Sequence, residues 1–500
     1  RKAAERKHLD EMRAAMSEDD LHKLVEETDA FRCAQEMPDP PEALATIPTL
    51  ALSDLEVQSP PIPCQALERG GGTVLYHDLF TNGILYIDLA FDLHTLPQEL
   101  LPYAPLLGQA LIGIGTEGED YISLVQRIGR KTGGLSSSLL TSAVIGSRQA
   151  AGRLVLRAKA TVSQGDDLFE ILRDILLTAG LDNRKRFTQL ALEAKADLES
   201  GLLPNGAEIA ATRLGARYGE AGWLADQVSG IGQLAFLRHL AQEVERNWPA
   251  VLSRLEEIRR TLIDRNALLC NATVDNAGWA QLAPKVRDLL SALPARAVNH
   301  AKWMPESIAA FEGLPISTPV NYVAKGANLY ELGYELHGSI AAIAHTIETS
   351  WLWERVRAQG GAYGARCTFD RPSGLFTYRS YRDPNLLGTI GIYDRTEQFL
   401  RDLELSEAER VKSIIGAIGR IDVHQLPDAR GYTSMVRYLC GEGDEDRQRF
   451  RDELLNTTAG DFLAFADVLQ RVQEQGSVVV IGSPEAIAAA NGARQLAGGN

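Results

Sequence analysis

The segment RAQGGAYG, Arg357 to Gly364, sets a permanently charged guanidinium six residues before a phenol, with a glycine pair between them. Arg357 can only donate hydrogen bonds and Tyr363 offers a neutral hydroxyl donor. Together they suit a carbonyl oxygen that gains negative charge during a reaction. The same residues have an architectural reading. Arginine in a last helical turn favours the macrodipole, Gly360 or Gly361 supplies a left-handed cap, and Tyr363 begins a strand. That reading accounts for one arginine and one glycine. It leaves the second glycine unexplained, and with it a tyrosine flanked by Ala362 and Gly364, small residues that let another backbone come close.

Other chemistry is thinly represented. His345-Thr-Ile-Glu348-Thr349 nearly reproduces the inverted zincin pattern H-x-x-E-H, in which two histidines share one helical face as metal ligands and the glutamate activates water. Thr349 stands in the second histidine's place, so His345 reads as a structural or surface residue. Gly113-Ile-Gly115-Thr-Glu-Gly118 matches the dinucleotide fingerprint but follows a helical pattern, which makes it a helix-terminating cluster. Neither a phosphate-binding G-x-x-x-x-G-K-[ST] loop nor a G-x-S-x-G elbow occurs. Cys33, Cys64, Cys270, Cys367 and Cys440 are odd in number and contain no C-x-x-C pair, which predicts a reducing compartment with no disulfide framework.

A chain of 500 residues exceeds what one core usually serves. Its charge of −15, from 51 Lys+Arg against 66 Asp+Glu, argues against nucleic acid or an anionic membrane as partner; basic peptides or metal ions would suit it, although such an excess more often simply keeps a protein in solution. No stretch is long enough to span a bilayer, and the opening RKAAERKHLDEMRAAM has no apolar signal core. A start without Met, inside a charged helix, reads as part of a longer protein. The expected location is cytoplasmic, with an organelle matrix as the alternative.

The elements that must position the donors follow from periodicity. Residues 1 to about 35 predict two amphipathic helices, carrying Leu9, Met12 and Met16 and then Leu21, Leu24, Val25 and Phe31, with a Ser17/Asp20 capping box between them. The Pro-rich linker Met37 to Pro41 follows. Beyond it, Thr81-Asn82-Gly83 predicts a hairpin turn between two apolar strands. Strands at LSSSLLTSAVIG and RLVLRAKATV lead to long helices over about 166–202 and 205–264, then to the strand LLCNATV. The second half repeats this order. VNYVAKGANL is strand-like, a helix covers about 336–358, and GARCTF and LFTYRSY form a hairpin about Arg371 to Gly374. Helices follow over about 394–420 and 445–472, and SVVVIG is the last strand. SLVQRIGRKTGGLSSSL (123–139) and SWLWERVRAQGGAYGAR (350–366) look like two copies of one helix, Gly-Gly, strand unit. The expected fold is α+β, with two similar domains of mostly antiparallel sheet flanked by helices, preceded by a helical hairpin. The expected boundaries are 1–48, 49–298 and 299–500.

Several strings together resemble the pitrilysin-type inverted-zincin metallopeptidases, in the presequence-protease branch. They are Thr81-Asn-Gly-Ile84 with Tyr86, Leu96-Pro97 with Glu99-Leu100, Tyr103-x-Pro105-Leu106, Lys131-Thr-Gly-Gly134, Pro319-Val-Asn-Tyr322, Arg357 to Gly364, and Ser380-Tyr-Arg-Asp-Pro-Asn385. The resemblance implies a mitochondrial-processing-peptidase-like fold, in which four such domains form two halves that close around a peptide-sized chamber. This chain resembles the hairpin and the second half, so no metal ligand is expected in it and zinc would belong to the missing N-terminal half. Arg357 and Tyr363 would reach the scissile carbonyl as a catalytic clamp, with Gly360, Gly361 and Gly364 positioning it and admitting the substrate backbone. Substrates would be unfolded peptides, and the partner would be the zinc-bearing half. A non-catalytic peptide-binding or scaffold subunit of the same fold is the competing expectation. Arg382 and Asp383 are expected to form a structural ion pair beside the clamp.

Overall fold

A computed structural model of the protein describes residues 2–37 and 39–497; Arg1 of the first expected helix and Pro38 of the expected linker lie outside them. The chain forms two compact units that meet at Asp54 and Leu55. In the first unit, helices Lys2–Ala15 and Glu18–Glu36 flank Ser17, whose hydroxyl accepts the Asp20 N–H at 3.2 Å while the Asp20 carboxylate accepts the Ser17 N–H at 3.2 Å. The capping box is therefore formed. Leu9, Met12, Leu24, Val25 and Phe31 are exposed.

In the second unit, Asn82 and Gly83 take left-handed backbone angles (φ 53° and 74°), and the Ile84 N–H returns to the Thr81 carbonyl at 3.3 Å. The turn is as expected, but the hairpin is not. Strands β1 (Gln65–Arg69), β2 (Gly72–Asp78), β3 (Ile84–Asp92), β6 (Leu135–Ala143), β7 (Ala150–Thr161) and β8 (Leu268–Val274) form one sheet in the order β1-β2-β8-β3-β7-β6. β8 lies between β2 and β3, parallel to the first and antiparallel to the second. Turn residues specify a reversal of direction, not a neighbour. The all-buried strand LLCNATV gains ladder bonds on both edges by inserting there. The Gly113–Gly118 segment ends helix Ala104–Gly113 and makes a two-residue ribbon of β4 (Gly115–Thr116) with β5 (Glu119–Asp120), with no crossover unit around it.

Five later strands form a second sheet: β9 (Phe311–Pro315), β10 (Tyr322–Asn328), β11 (Gly364–Asp370), β12 (Leu375–Tyr381) and β13 (Ser477–Gly482), in the order β11-β12-β10-β13-β9. Taken from its other edge, β9-β13-β10-β12-β11 repeats β2-β8-β3-β7-β6. One parallel pair begins each series and antiparallel pairs complete it. The faint repeat between residues 123–139 and 350–366 thus falls on equivalent elements, each entering the edge strand of its sheet.

Helices are more broken than expected. Residues 166–202 split at 179–183, where the Asn183 side chain caps helix Arg184–Gly201. Residues 205–264 form four helices, separated near Gly219, at Gly230 and at Asn247. Helix Pro427–Cys440, not expected from the sequence, lays Met435 against Leu75, Ala90, Val155 and Leu269 on the first sheet. The alternate residues Leu85, Ile87, Leu89 and Phe91 of β3 face the helix-covered core on the other side.

Beside the end of β3, the His94 imidazole stacks on Trp303 (centroids 4.0 Å apart), reaches Glu220 Oε1 at 2.9 Å and lies 3.4 Å from Asp92. Burial alone would lower its pKa, but hydrogen bonds to Asp92 and Glu220 and their charges outweigh this and raise it. A raised histidine pKa contributes stability below the unfolded value of about 6.5, and that contribution is lost as pH rises through the folded value. Wild type should therefore exceed His94→Gln in urea stability by more at about pH 5.5 than at about pH 9. A difference independent of pH would mean that His94 stays neutral between its two carboxylates.

Candidate functional site

The Arg357-to-Gly364 segment opens a cleft of 540 Å³ whose floor is the β11–β12 hairpin. The turn expected at Arg371 to Gly374 is formed, with the Ser373 N–H held by Asp370 at 3.1 Å and Gly374 at φ 76°. It sets the register Gly364↔Tyr381 and Arg366↔Arg379, which stands these four residues on one face of the sheet. One wall is the start of helix Gly206–Gly215, with Pro204, Asn205, Ala207 and Glu208. That helix can approach because Gly206 has no side chain: a Cβ there would stand 2.6 Å from the Tyr322 ring of β10. The Tyr322 hydroxyl completes the contact by donating to the Leu203 carbonyl.

The opposite wall is a π-helix, Ile347–Ala358, which continues helix Ser339–Thr346 and turns Glu348, Thr349, Trp353 and Arg357 to the cleft. Widened helices of this kind are rare and frequently occur at functional sites. Its end explains both glycines. The Gly361 N–H bonds the Arg357 carbonyl at 3.0 Å and the Ala362 N–H bonds that of Val356 at 3.1 Å, with Gly361 at φ 79°. At Gly360 a Cβ would meet the Val356 carbonyl oxygen at 2.5 Å. The pair is thus demanded by the closure of the helix, and neither glycine lines the cleft. Gly364 does, and a Cβ there would meet nothing within 4 Å.

Arg357 and Tyr363 both line this cleft. The Tyr363 N–H is held by the Tyr381 carbonyl at 3.1 Å and its ring meets Tyr381 edge-on at 5.7 Å, while the side chain is 69% exposed. Among the described residues, neither the Arg357 guanidinium nor the Tyr363 hydroxyl has a hydrogen-bond or ion-pair partner. Two unsatisfied donors at the mouth of one cleft can serve an oxygen atom that arrives with a ligand.

The Ser380-to-Asn385 segment braces the glycine pair, because Asn385 donates to the Gly360 carbonyl at 2.7 Å. The expected Arg382–Asp383 ion pair is not made among the described residues. Arg382 is exposed at φ 49° with its guanidinium over the Tyr381 ring, 5.3 Å from the centroid. Asp383 is fully buried and accepts from the Thr389 hydroxyl at 2.7 Å and the Asn385 N–H at 2.9 Å. Burial raises its pKa against those hydrogen bonds. Just past the end of β12, the left-handed backbone of Arg382 leaves its side chain at the surface, while Asp383 is held inside by its own hydrogen bonds.

Zinc does not fit the near-motif. His345 packs so closely on Gly416 that a Cβ there would stand 2.2 Å from Nε2, and its buried Nδ1 has no partner. Burial, then the nearby Arg420, lowers its pKa. Glu348 is held by Arg420 at 3.2 Å and the Thr349 hydroxyl donates to the His345 carbonyl at 2.7 Å. No cluster of three potential ligands occurs among the described residues.

Arg366, Arg379, Trp353 and Glu208 also line the cleft and were not singled out from the sequence. The signal for the first two was available. A hairpin turning at 371–374 pairs Asp370 with Leu375, which sets Arg366 opposite Arg379.

Comparison with known proteins identifies relatives of this fold. The peptidase M16C associated family matches residues 1–240, and the PreP C-terminal domain matches residues 311–484. Presequence protease 1, chloroplastic/mitochondrial, of Arabidopsis thaliana is 42% identical over 491 residues, which is 98% of this chain and 46% of that protein. Protein HypA of Clostridium perfringens is 29% identical over 489 residues, 97% of this chain and 50% of that one. The chain thus spans about half the length of the curated relatives it matches. Among solved structures, the peptidase M16 inactive domain from Pseudomonas fluorescens shares the fold with a TM-score of 0.61 at 13% identity, covering 84% of this chain and 98% of that one. A protease from Helicobacter pylori follows with a TM-score of 0.60 at 14% identity, covering 84% of this chain and 99% of that one. With its two repeated α+β sheets and its paired family matches, the chain belongs to the pitrilysin-type M16 peptidases, in the presequence-protease branch, and corresponds to their C-terminal half.

Proposed function

We propose that this chain is the C-terminal, non-zinc half of a zinc metalloendopeptidase that degrades unfolded peptides inside a closed chamber. The observation that carries the reading is the pair of unsatisfied donors, Arg357 and Tyr363, at one cleft. In this reading they donate to the carbonyl oxygen of the peptide bond being cut and stabilise the charge that develops on it. Gly360 and Gly361 fix the end of the helix that presents Arg357, and Gly364 leaves room for the substrate backbone. Zinc is carried by the N-terminal half, since the residues of this chain do not fit it. The domain boundaries at 48/49 and 298/299 are part of the proposal, supported by the repeated strand order. The name of the Arabidopsis relative favours an organelle matrix over the cytoplasm. At long range, the −15 charge would favour the approach of basic peptides.

The test is complementation. The chain alone, dialysed and assayed for metal, should hold no stoichiometric zinc and should not cleave a fluorogenic peptide. Supplied with the zinc-bearing half, whether as one chain or as two, it should support chelator-sensitive hydrolysis. One tight zinc per isolated chain would refute the division of labour. Peptide binding without hydrolysis in the presence of that half would favour the scaffold reading.

A further inference from the structure

The cleft holds more positive charge than a two-donor clamp requires. Arg366 and Arg379 face each other directly across the β11–β12 ladder, and both line the cleft with Arg357. Like charges directly opposite on adjacent strands destabilise a sheet. Arg379 is relieved by Glu208 of the facing helix, and Glu348 is occupied by Arg420. Arg366 has no hydrogen-bond or ion-pair partner among the described residues.

The fold does not ask for this arrangement, as its own repeat demonstrates. The matching segments 123–139 and 350–366 end on Leu139 and Arg366 respectively. Leu139, paired with Leu154, faces the helix-covered core, whereas the cleft lies on the other face of its sheet; on that other face the first sheet pairs Ser138 with Val155 and Leu140 with Arg153, and the second pairs Arg366 with Arg379. Where the second copy spends stability on two opposed guanidiniums, it does so at a cleft that also receives the N-terminal end of helix Gly206–Gly215, another positive element.

We infer that the cleft recognises a carboxylate of the bound peptide close to the bond being cut, and that Arg366 is its specificity-determining residue. This rests on the clamp reading for the place of the cut bond. It makes the local preference opposite to the long-range one: an acidic protein draws basic peptides towards it, while the subsite beside Arg357 selects an acidic group. The carboxylate can be an Asp or Glu side chain or the free C-terminus of the peptide, since a guanidinium pairs with all of them in the same forked geometry.

The experiment uses the complete two-half enzyme and one peptide sequence in four forms, with Glu or Gln flanking the cleaved bond and a C-terminal acid or amide. A charge-assisted hydrogen bond in a partly enclosed cleft predicts a kcat/KM ratio of about tenfold in favour of the carboxylate form. Arg366→Gln should bring that ratio towards one, and Arg366→Glu should turn it in favour of the form without the carboxylate. Arg449→Gln, which removes a guanidinium paired with Asp446 outside the cleft, should keep the wild-type ratio. Because an opposed charge is removed, Arg366→Gln should melt no lower than wild type, which separates lost recognition from lost folding. Dependence on Glu against Gln identifies a side-chain carboxylate, and dependence on acid against amide identifies the terminus. No dependence on either, or a ratio that survives Arg366→Gln, overturns the inference. The clamp is judged separately, by the turnover of the neutral amide peptide in Arg357 and Tyr363 variants.

Discussion

Arg357→Ala and Tyr363→Phe, each made in the complete two-half enzyme, should lower kcat by roughly 10²- to 10³-fold, which corresponds to about 2.7–4 kcal/mol of lost transition-state stabilisation. Both donors would serve one oxygen, so the double variant should lose less than the sum of the two. Neither change should disturb folding much, because the Tyr363 side chain is largely exposed and the Arg357 guanidinium bonds nothing in the protein. Surface changes of that kind usually stay within about 0.5 kcal/mol. The helix-end reading of Arg357 predicts the opposite pattern, with about 0.3–1 kcal/mol of stability lost and normal turnover. Steady-state kinetics beside thermal melts separates the two. Turnover within about twofold of wild type in both single variants, far short of the donor-loss range, would sink the clamp.

The largest effect on stability should come from Asp394→Ala. Lys325 sits in β10, between β12 and β13, and is 5% exposed; its ammonium pairs with Asp394 and donates to the Gln473 carbonyl at 3.1 Å. Removing the carboxylate leaves a buried charge with a single carbonyl, which typically costs about 3–5 kcal/mol. Replacing both partners with apolar residues, Lys325→Met with Asp394→Leu, removes that charge and should recover most of the loss. Urea unfolding midpoints of the two variants give the comparison. A double variant no more stable than the single one would show that the ion pair contributes through its own attraction and not through the penalty of an orphaned charge.

Parts of the fold were legible because the interactions behind them are local. The β11–β12 hairpin follows from Arg371 to Gly374, and the capping box from Ser17 and Asp20, since each needs only residues a few positions apart. The turn at Asn82-Gly83 is equally local, yet its two strands are parted by β8, whose contribution lies far along the chain. Helix Pro427–Cys440 escaped notice because the face it buries, around Met435, packs on the sheet of the other repeat. At the site, Arg357 and Tyr363 stood out by chemical type. Arg366 did not, because a charged residue in an edge strand reads as ordinary surface.

By itself, the sequence determined the α+β class, the repeat, the reversals of the chain and the supply of donors. Those properties depend on periodicity, turn chemistry and residue type, which act over a few residues. Only the tertiary structure decided which strands became neighbours and that helix Gly206–Gly215 would form the wall facing the π-helix. It likewise decided which arginines are neutralised and which are left for a ligand. Arg379 and Arg366 are chemically the same residue on paired strands. Glu208, brought from a helix more than a hundred residues earlier, satisfies one and leaves the other open. Charge pairing of that kind is set by distance in space, and no local pattern encodes it.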